Sequence, residues 1–225
     1  MPTLYVVATP IGNLSDMSPR AIETLRSVQL IAAEDTRVTM KLLNAFDIST
    51  PLTSCHEHNE RSKAVQIAER MLAENIDVAV TTDAGTPCIS DPGSVLVREA
   101  TERGIPAVAV SGPTAMASAL SVSGMDISEF TFYGFLPRQK NELREKLTDM
   151  ARHSKIAVVH ESPHRVIELL QQVQAVLPHT FVSASCDLTK LYEKTIRGTA
   201  DEVLAMLLAN EKAEKGEYCL VLDLH

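Results

Sequence analysis

The chain has 225 residues, 45 % of them apolar and 22 % charged, a composition that describes a globular protein and excludes a disordered or fibrous one. A net charge of −8, from 21 Lys and Arg against 29 Asp and Glu, excludes nucleic-acid binding through a broad basic face, and five Phe and four Tyr without a Trp exclude an aromatic platform for single strands. No apolar run approaches the ~20 residues of a membrane-spanning helix. The first residues carry no signal-peptide pattern, and four scattered cysteines without a C-x-x-C pair read as reduced thiols, so a cytoplasmic protein without disulfides is expected.

In chain order, residues 3–9 predict a buried strand, residues 30–33 and 52–55 shorter ones, and residues 77–82 and 107–110 complete five. Helical patterns lie between them. Ser18 with Pro19 starts one, Asn59 precedes another over residues 60–74, and Pro92 precedes a third that ends at Arg103 and Gly104. Strand and helix alternating in this way imply a mainly parallel sheet covered on both faces, with the site on its loops. Residues 114–122 form a helix of small side chains, and Ser123-Gly124-Met125-Asp126 breaks the pattern, so the domain boundary is placed at residues 122/123. The second half, residues 123–225, predicts strands over 130–134, 156–160, 181–186, 194–198 and 219–224, with helices over 139–151, 163–175 and 201–209. Its sheet is expected to be mixed, and a two-domain chain of this size is expected to bind its ligand in the cleft between the halves.

The chemistry-bearing residues cluster at strand ends. Thr9-Pro10-Ile11-Gly12-Asn13-Leu14 follows the first strand, where open α/β sheets bind ligands, but a single Gly gives poor support for a dinucleotide cradle. Residues 83–93 form a stiff, polar loop holding two Asp, two Gly and two Pro; Asp83 reads as functional, whereas Asp91 reads equally as a residue preparing the next helix. Glu34, Asp35 and Arg37 follow the second strand, and capping a helix accounts for one of those acids but not both. His56, His58 and Asn59 offer metal-ligand types, yet no third ligand is identifiable, so no metal is expected and a substrate-facing loop is the better reading. Ser162 between His160 and His164 lacks the G-x-S-x-G context of a hydrolase.

Eight ordered words then fit one pattern: TPIGNL (residues 9–14), AEDTR (33–37), HEHNE (56–60), DAGTPCISDPG (83–93), GFLP (134–137), ESPHR (161–165), LTK (188–190) and KGE (215–217). Over nearly its whole length the chain resembles the tetrapyrrole methylase superfamily of S-adenosylmethionine-dependent methyltransferases, and within it the branch that methylates a cytidine ribose 2′-O in 16S rRNA. The resemblance implies two α/β domains, a mainly parallel amino-terminal sheet and a mixed carboxy-terminal one, with S-adenosylmethionine in the interdomain cleft. It implies cofactor contacts from Pro10, Asp83, Ala84, Gly85, Thr86, Ile89, Thr114 and Ala115, and from Phe135, Glu161, Leu188 and Tyr218. It further implies a homodimer, which would combine Arg37, Lys41, Arg61 and Lys63 of two chains, acting on 16S rRNA within the small ribosomal subunit.

A ribose hydroxyl needs a base, and Asp35, then Glu34, are the expected catalytic residues, with Arg37, His56, His58, Asn59 and Lys190 toward the RNA. Cys186-Asp187 stands where this branch has Arg-Glu before LTK. The alternatives are a methylase of a corrin or porphyrin precursor, which would want a wide apolar trough, and a relative that binds the cofactor without turnover.

Overall fold

Short runs of Val, Ala, Leu and Ile form the first sheet of the computed structural model, which describes residues 1–209 and 215–225. Its strands are β1 (Leu4–Val7), β2 (Leu30–Ala33), β3 (Leu52–Ser54), β4 (Val78–Thr81) and β5 (Ala107–Val110), in the order β3-β2-β4-β1-β5 and all parallel. Alternate residues of each strand serve opposite faces. Leu4, Leu30, Ala32, Val78 and Val80 pack on α3 (Glu60–Glu74) and α4 (Ser94–Glu102) through Ala64, Ile67, Met71, Leu96 and Ala100. Val7, Ile31, Ala79 and Val110 pack on α1 (Pro19–Ser27) and α2 (Thr36–Ala45) through Ala21, Leu25 and Leu43. Each fully buried Leu or Ile among these contributes about 1.5–3 kcal/mol.

The local signals explain most element boundaries. Ser18 caps α1, its hydroxyl accepting the Ala21 N–H at 3.1 Å, with Pro19 at the first helical position. Helix α2 does not declare itself in the sequence: Val38 and Met40 are exposed, and β-branched Thr36, Val38 and Thr39 lower its propensity. Helix α4 begins at Ser94 behind Gly93, one residue later than a helix directly after Pro92.

The chain divides by its contacts into two units, Met1–Thr114 and Ala115–His225. The break falls ahead of residues 122/123 because α5 (Ala115–Ser121) packs on strands of the second sheet. That sheet comprises β6 (Thr131–Phe135), β7 (Ile156–Glu161), β8 (Phe181–Cys186), β9 (Lys194–Thr199) and β10 (Tyr218–Asp223), in the order β6-β7-β10-β8-β9. Only the β6–β7 pair is parallel, so the sheet is mixed. One face is covered by α6 (Lys140–His153), α7 (Val166–Val176) and α8 (Ala200–Leu208), through Leu147, Met150, Leu169, Val173, Val203 and Leu207. α7 starts at Val166 rather than at Pro163, because a turn that returns the Arg165 N–H to the Ser162 carbonyl at 3.0 Å comes first. No helix among the described residues is long and apolar enough to cross a membrane.

Candidate functional site

Because all five strands of the first sheet are parallel, the loops after them emerge at one edge. There the loop after β1 and the loop after β4 are joined. Thr9 and Gly85 exchange both backbone hydrogen bonds, at 2.8 and 3.0 Å, and the buried Thr9 hydroxyl donates to the Thr82 carbonyl at 3.1 Å. Gly85 has φ +86°, and a Cβ there would meet Ile11 Cγ2 at 3.4 Å and the Pro113 carbonyl at 3.9 Å. A Cβ on Gly112 would stand 3.0 Å from that of Ala8. Pro10, Ala84, Gly85, Gly112 and Pro113 thus form a backbone-rich cradle whose close approach requires the two glycines. Ala84 is exposed above it, Thr86 half-buried, Ile89 exposed, and Thr114 ends this unit.

Beside the cradle, the carboxylates of the second and fourth loops surround Thr82. Glu34 Oε2 accepts the Thr82 hydroxyl at 2.5 Å and the Asp83 N–H at 3.2 Å, and Asp83 Oδ1 accepts the Asp35 N–H at 3.1 Å. Burial, then the charge of Glu34, raises the pKa of Asp83. The same two causes, followed by the charge of Asp83, push Asp91 up to about 6, against a hydrogen bond with Thr82 that lowers it. Asp91 does not cap a helix; Gly93 occupies that position in α4.

Asp35 differs. It caps α2, accepting the Arg37 N–H at 2.8 Å, and takes the Arg37 guanidinium through Nε at 3.0 and 3.2 Å and through a terminal nitrogen at 2.5 Å. Those bonds hold its carboxyl well below the usual carboxylate range. Such an acid is a weak proton acceptor. Capping therefore accounts for Asp35, and Glu34 is the acid turned to the neighbouring loop.

His56 and His58 lie in a turn, their rings edge to face with centroids 6.0 Å apart. Asn59 is spent on this turn: its Oδ1 accepts the His56 N–H at 2.9 Å. Glu60, absent from the expected site, is buried. Among the described residues no group of three or more His, Cys, Asp or Glu is arranged to hold a metal ion.

In the second unit, the residues expected at the cofactor gather at one end of the sheet. Phe135 is 61 % exposed and lies edge-on to His160 at 5.7 Å, while burial lowers the His160 pKa. Glu161 pairs across the sheet with Tyr218, and Tyr218 with Cys186. The Glu161 side chain is fully buried; Oε1 accepts the Ser162 N–H at 2.7 Å, Oε2 faces Arg165 at 3.3 Å, and burial raises its pKa. Arg165 also donates to the Pro137 carbonyl at 3.1 Å, tying the GFLP turn to the end of β7. Leu188 is buried. Lys190 is engaged by Asp187 at 3.0 Å and Glu217 at 2.9 Å, so its charge is already partnered. Tyr218 and Cys186 line a cavity of about 480 Å³ with Lys194, Ile196 and Leu207. Ala115 opens α5.

The sequence profile of the Tetrapyrrole (Corrin/Porphyrin) Methylases matches residues 3–204. Proteins named ribosomal RNA small subunit methyltransferase I from Halalkalibacterium halodurans and Bacillus subtilis are each 44 % identical to the chain, over 98 % and 99 % of it and 75 % of their own length. The crystal structure of uroporphyrin-III-C-methyltransferase from Thermus thermophilus superposes with a TM-score of 0.64 at 16 % identity, covering 99 % of this chain and 94 % of that one, a likeness of fold.

Proposed function

The chain belongs to the tetrapyrrole methylase family, among relatives named for small-subunit ribosomal RNA, and from that membership we propose that it is an rRNA methyltransferase that transfers a methyl group from S-adenosylmethionine to the ribose 2′-O of a cytidine in 16S rRNA. The observation that carries the proposal is the cradle beside a carboxylate cluster. Two glycines let the segments around Ala8, Ile11 and Pro113 close on one another there, and Glu34, Asp83 and Asp91 give that edge a negative field suited to a cationic group. S-adenosylmethionine supplies, when bound, a methyl group on a positively charged sulfur.

The chain's own residues then have three tasks. Pro10, Asp83, Ala84, Gly85, Thr86, Ile89, Thr114 and Ala115 hold the donor, and the resemblance adds Phe135, Glu161, Leu188 and Tyr218. Holding donor and hydroxyl at near-attack distance is worth up to ~7–11 kcal/mol. As the C–O bond forms and the C–S bond breaks, the hydroxyl proton passes to a carboxylate, a contribution of ~10²–10⁴-fold. Of the acids at this edge, Asp91, pushed up to about 6, matches that task better than Asp35, whose lone pairs are committed to Arg37. Glu34 orients the loop through Thr82 and Asp83. Asp35 in turn aims Arg37, 87 % exposed along its side chain, outward for a phosphate. His56, His58 and Lys190 are the remaining proposed RNA contacts.

With a net charge of −8, the substrate we propose is rRNA within the small subunit, met in the cytoplasm by a homodimer; sedimentation of the purified chain as a monomer would remove the dimer. The activity is tested with radiolabelled donor on small subunits lacking the modification. Label recovered as 2′-O-methylcytidine is expected. Label on a base, label on a tetrapyrrole only, or no transfer would overturn the proposal.

A further inference from the structure

HEHNE ends in a residue that turns inward. Glu60 is 7 % exposed, and its Oε1 accepts two backbone N–H groups from a distant segment, Gly93 at 2.7 Å and Val95 at 3.0 Å. These are the first donors of α4, a nine-residue helix whose N-cap, Gly93, brings no side chain to them. Nor is that position free to change. Gly93 has φ +126°, and a Cβ there would stand 3.0 Å from Cys88 Sγ, so a Ser or Asp cap is refused and the acceptor has to come from elsewhere in the fold. Glu60 is also the first residue of α3, so one carboxylate lies at the amino-terminal ends of two helices, where both dipoles favour it.

What Glu60 fixes is the far end of the loop of residues 83–93. The near end is held by the Thr9–Gly85 pair. Between these ties the backbone takes left-handed conformations at Cys88 (φ 72°) and Ser90 (φ 65°) and folds back so that the Cys88 N–H reaches the Pro92 carbonyl at 3.2 Å. Two non-glycine residues in that region persist only where their surroundings over-determine them. We propose that Glu60 is a positioning residue for methyl transfer: by capping α4 it locks the return of the 83–93 loop and so preforms the surface that takes the donor. The inference rests on the reading of this loop as the donor's.

Calorimetry with S-adenosylmethionine, together with steady-state kinetics on small subunits, tests it in two variants of the whole chain. Glu60→Gln keeps one oxygen at the same reach for both N–H groups, whereas Glu60→Asp keeps the charge but is one methylene short. Donor affinity in Glu60→Gln should stay within about threefold of the parent. In Glu60→Asp the donor Kd and KM should rise about tenfold or more, with kcat at saturating donor also falling because Asp91 lies on the same loop, and KM for the subunit unchanged within about twofold. A folded Glu60→Asp that binds donor as tightly as the parent overturns the inference, as does an equal loss in both variants or a loss confined to kcat. Should Glu60→Asp not fold, amide exchange in the parent decides: donor should slow exchange at Gly93 and Val95, and unchanged rates there overturn the inference. A parent chain with no donor affinity overturns instead the reading of the loop on which the inference rests.

Discussion

Thr82 donates its hydroxyl to Glu34 across 2.5 Å and so joins the loops that follow β2 and β4. The same hydroxyl lowers the pKa of Asp91, which burial and two neighbouring carboxylates raise. Replacing Thr82 by Val removes the hydroxyl at nearly constant volume. The Asp91 carboxyl should then titrate above about 6, read by carbon NMR of the side-chain carboxyl, and the buried site should lose about 1 kcal/mol for the missing hydrogen bond.

Asp91 also gives the stability a pH dependence. Its pKa in the fold is raised from 3.8 to about 6, so the folded state binds the proton more tightly than the unfolded state does. The stability linked to that proton is fully present below about pH 4 and is lost as the pH rises toward about 6 and beyond. Asp91→Asn should therefore be more stable than the parent at pH 7.5, by about 1–2 kcal/mol once the group's partial solvent exposure is allowed for, and about equal to it at pH 4. Urea midpoints at the two pH values measure the difference.

The same substitution separates the acids by kinetics. Asp91→Asn should lower kcat at saturating donor by ~10²-fold or more, with a much smaller rise in donor Kd from the lost charge. Asp35→Asn frees the Arg37 guanidinium and should act mainly on KM for the subunit, since its carboxylate is an N-cap and an ion-pair partner. A kcat collapse in Asp35→Asn, with kcat preserved in Asp91→Asn, would return the proton to Asp35.

In the second unit, Arg165 is the only ion-pair partner described for Glu161, whose side chain is fully buried. Arg165→Met leaves that carboxylate with only the Ser162 N–H and the charge of Arg138 to offset it, and should cost about 3 kcal/mol at neutral pH. Burial already raises the Glu161 pKa, and losing the cation raises it further. The penalty is therefore present while Glu161 is ionised and fades as the pH falls toward its ordinary value of 4.5, a trend that thermal midpoints at pH 7.5 and 5 would show.

The sheet strands were legible because their apolar runs are short, β-rich and bounded by Gly, Pro and Asp. Ser18-Pro19 announced α1 in the same local way. Helix α2 was not legible, since exposed Val38 and Met40 and β-branched Thr36, Val38 and Thr39 blur its pattern and Asp35, which caps it, also reads as chemistry. At the site, strand-end loops and paired carboxylates could be found by position, but the division of labour among them could not. Whether Asp35 is a base or a cap depends on where Arg37 folds, and the proton affinity of Asp91 depends on Glu34 and Asp83 arriving from other loops. Glu60 gave no sign of its role, because its partners are backbone N–H groups 33 and 35 positions away.

The reciprocal bond pair between Thr9 and Gly85 makes a single hinge-free piece of two segments that are remote in sequence. Opening either one breaks the bonds of the other, so the amides of Thr9 and Gly85 should exchange with solvent at a common rate, set by one shared excursion. A crack in the sheet edge at this point would dismantle the whole cradle at once, and protease sites in the two segments would become accessible together.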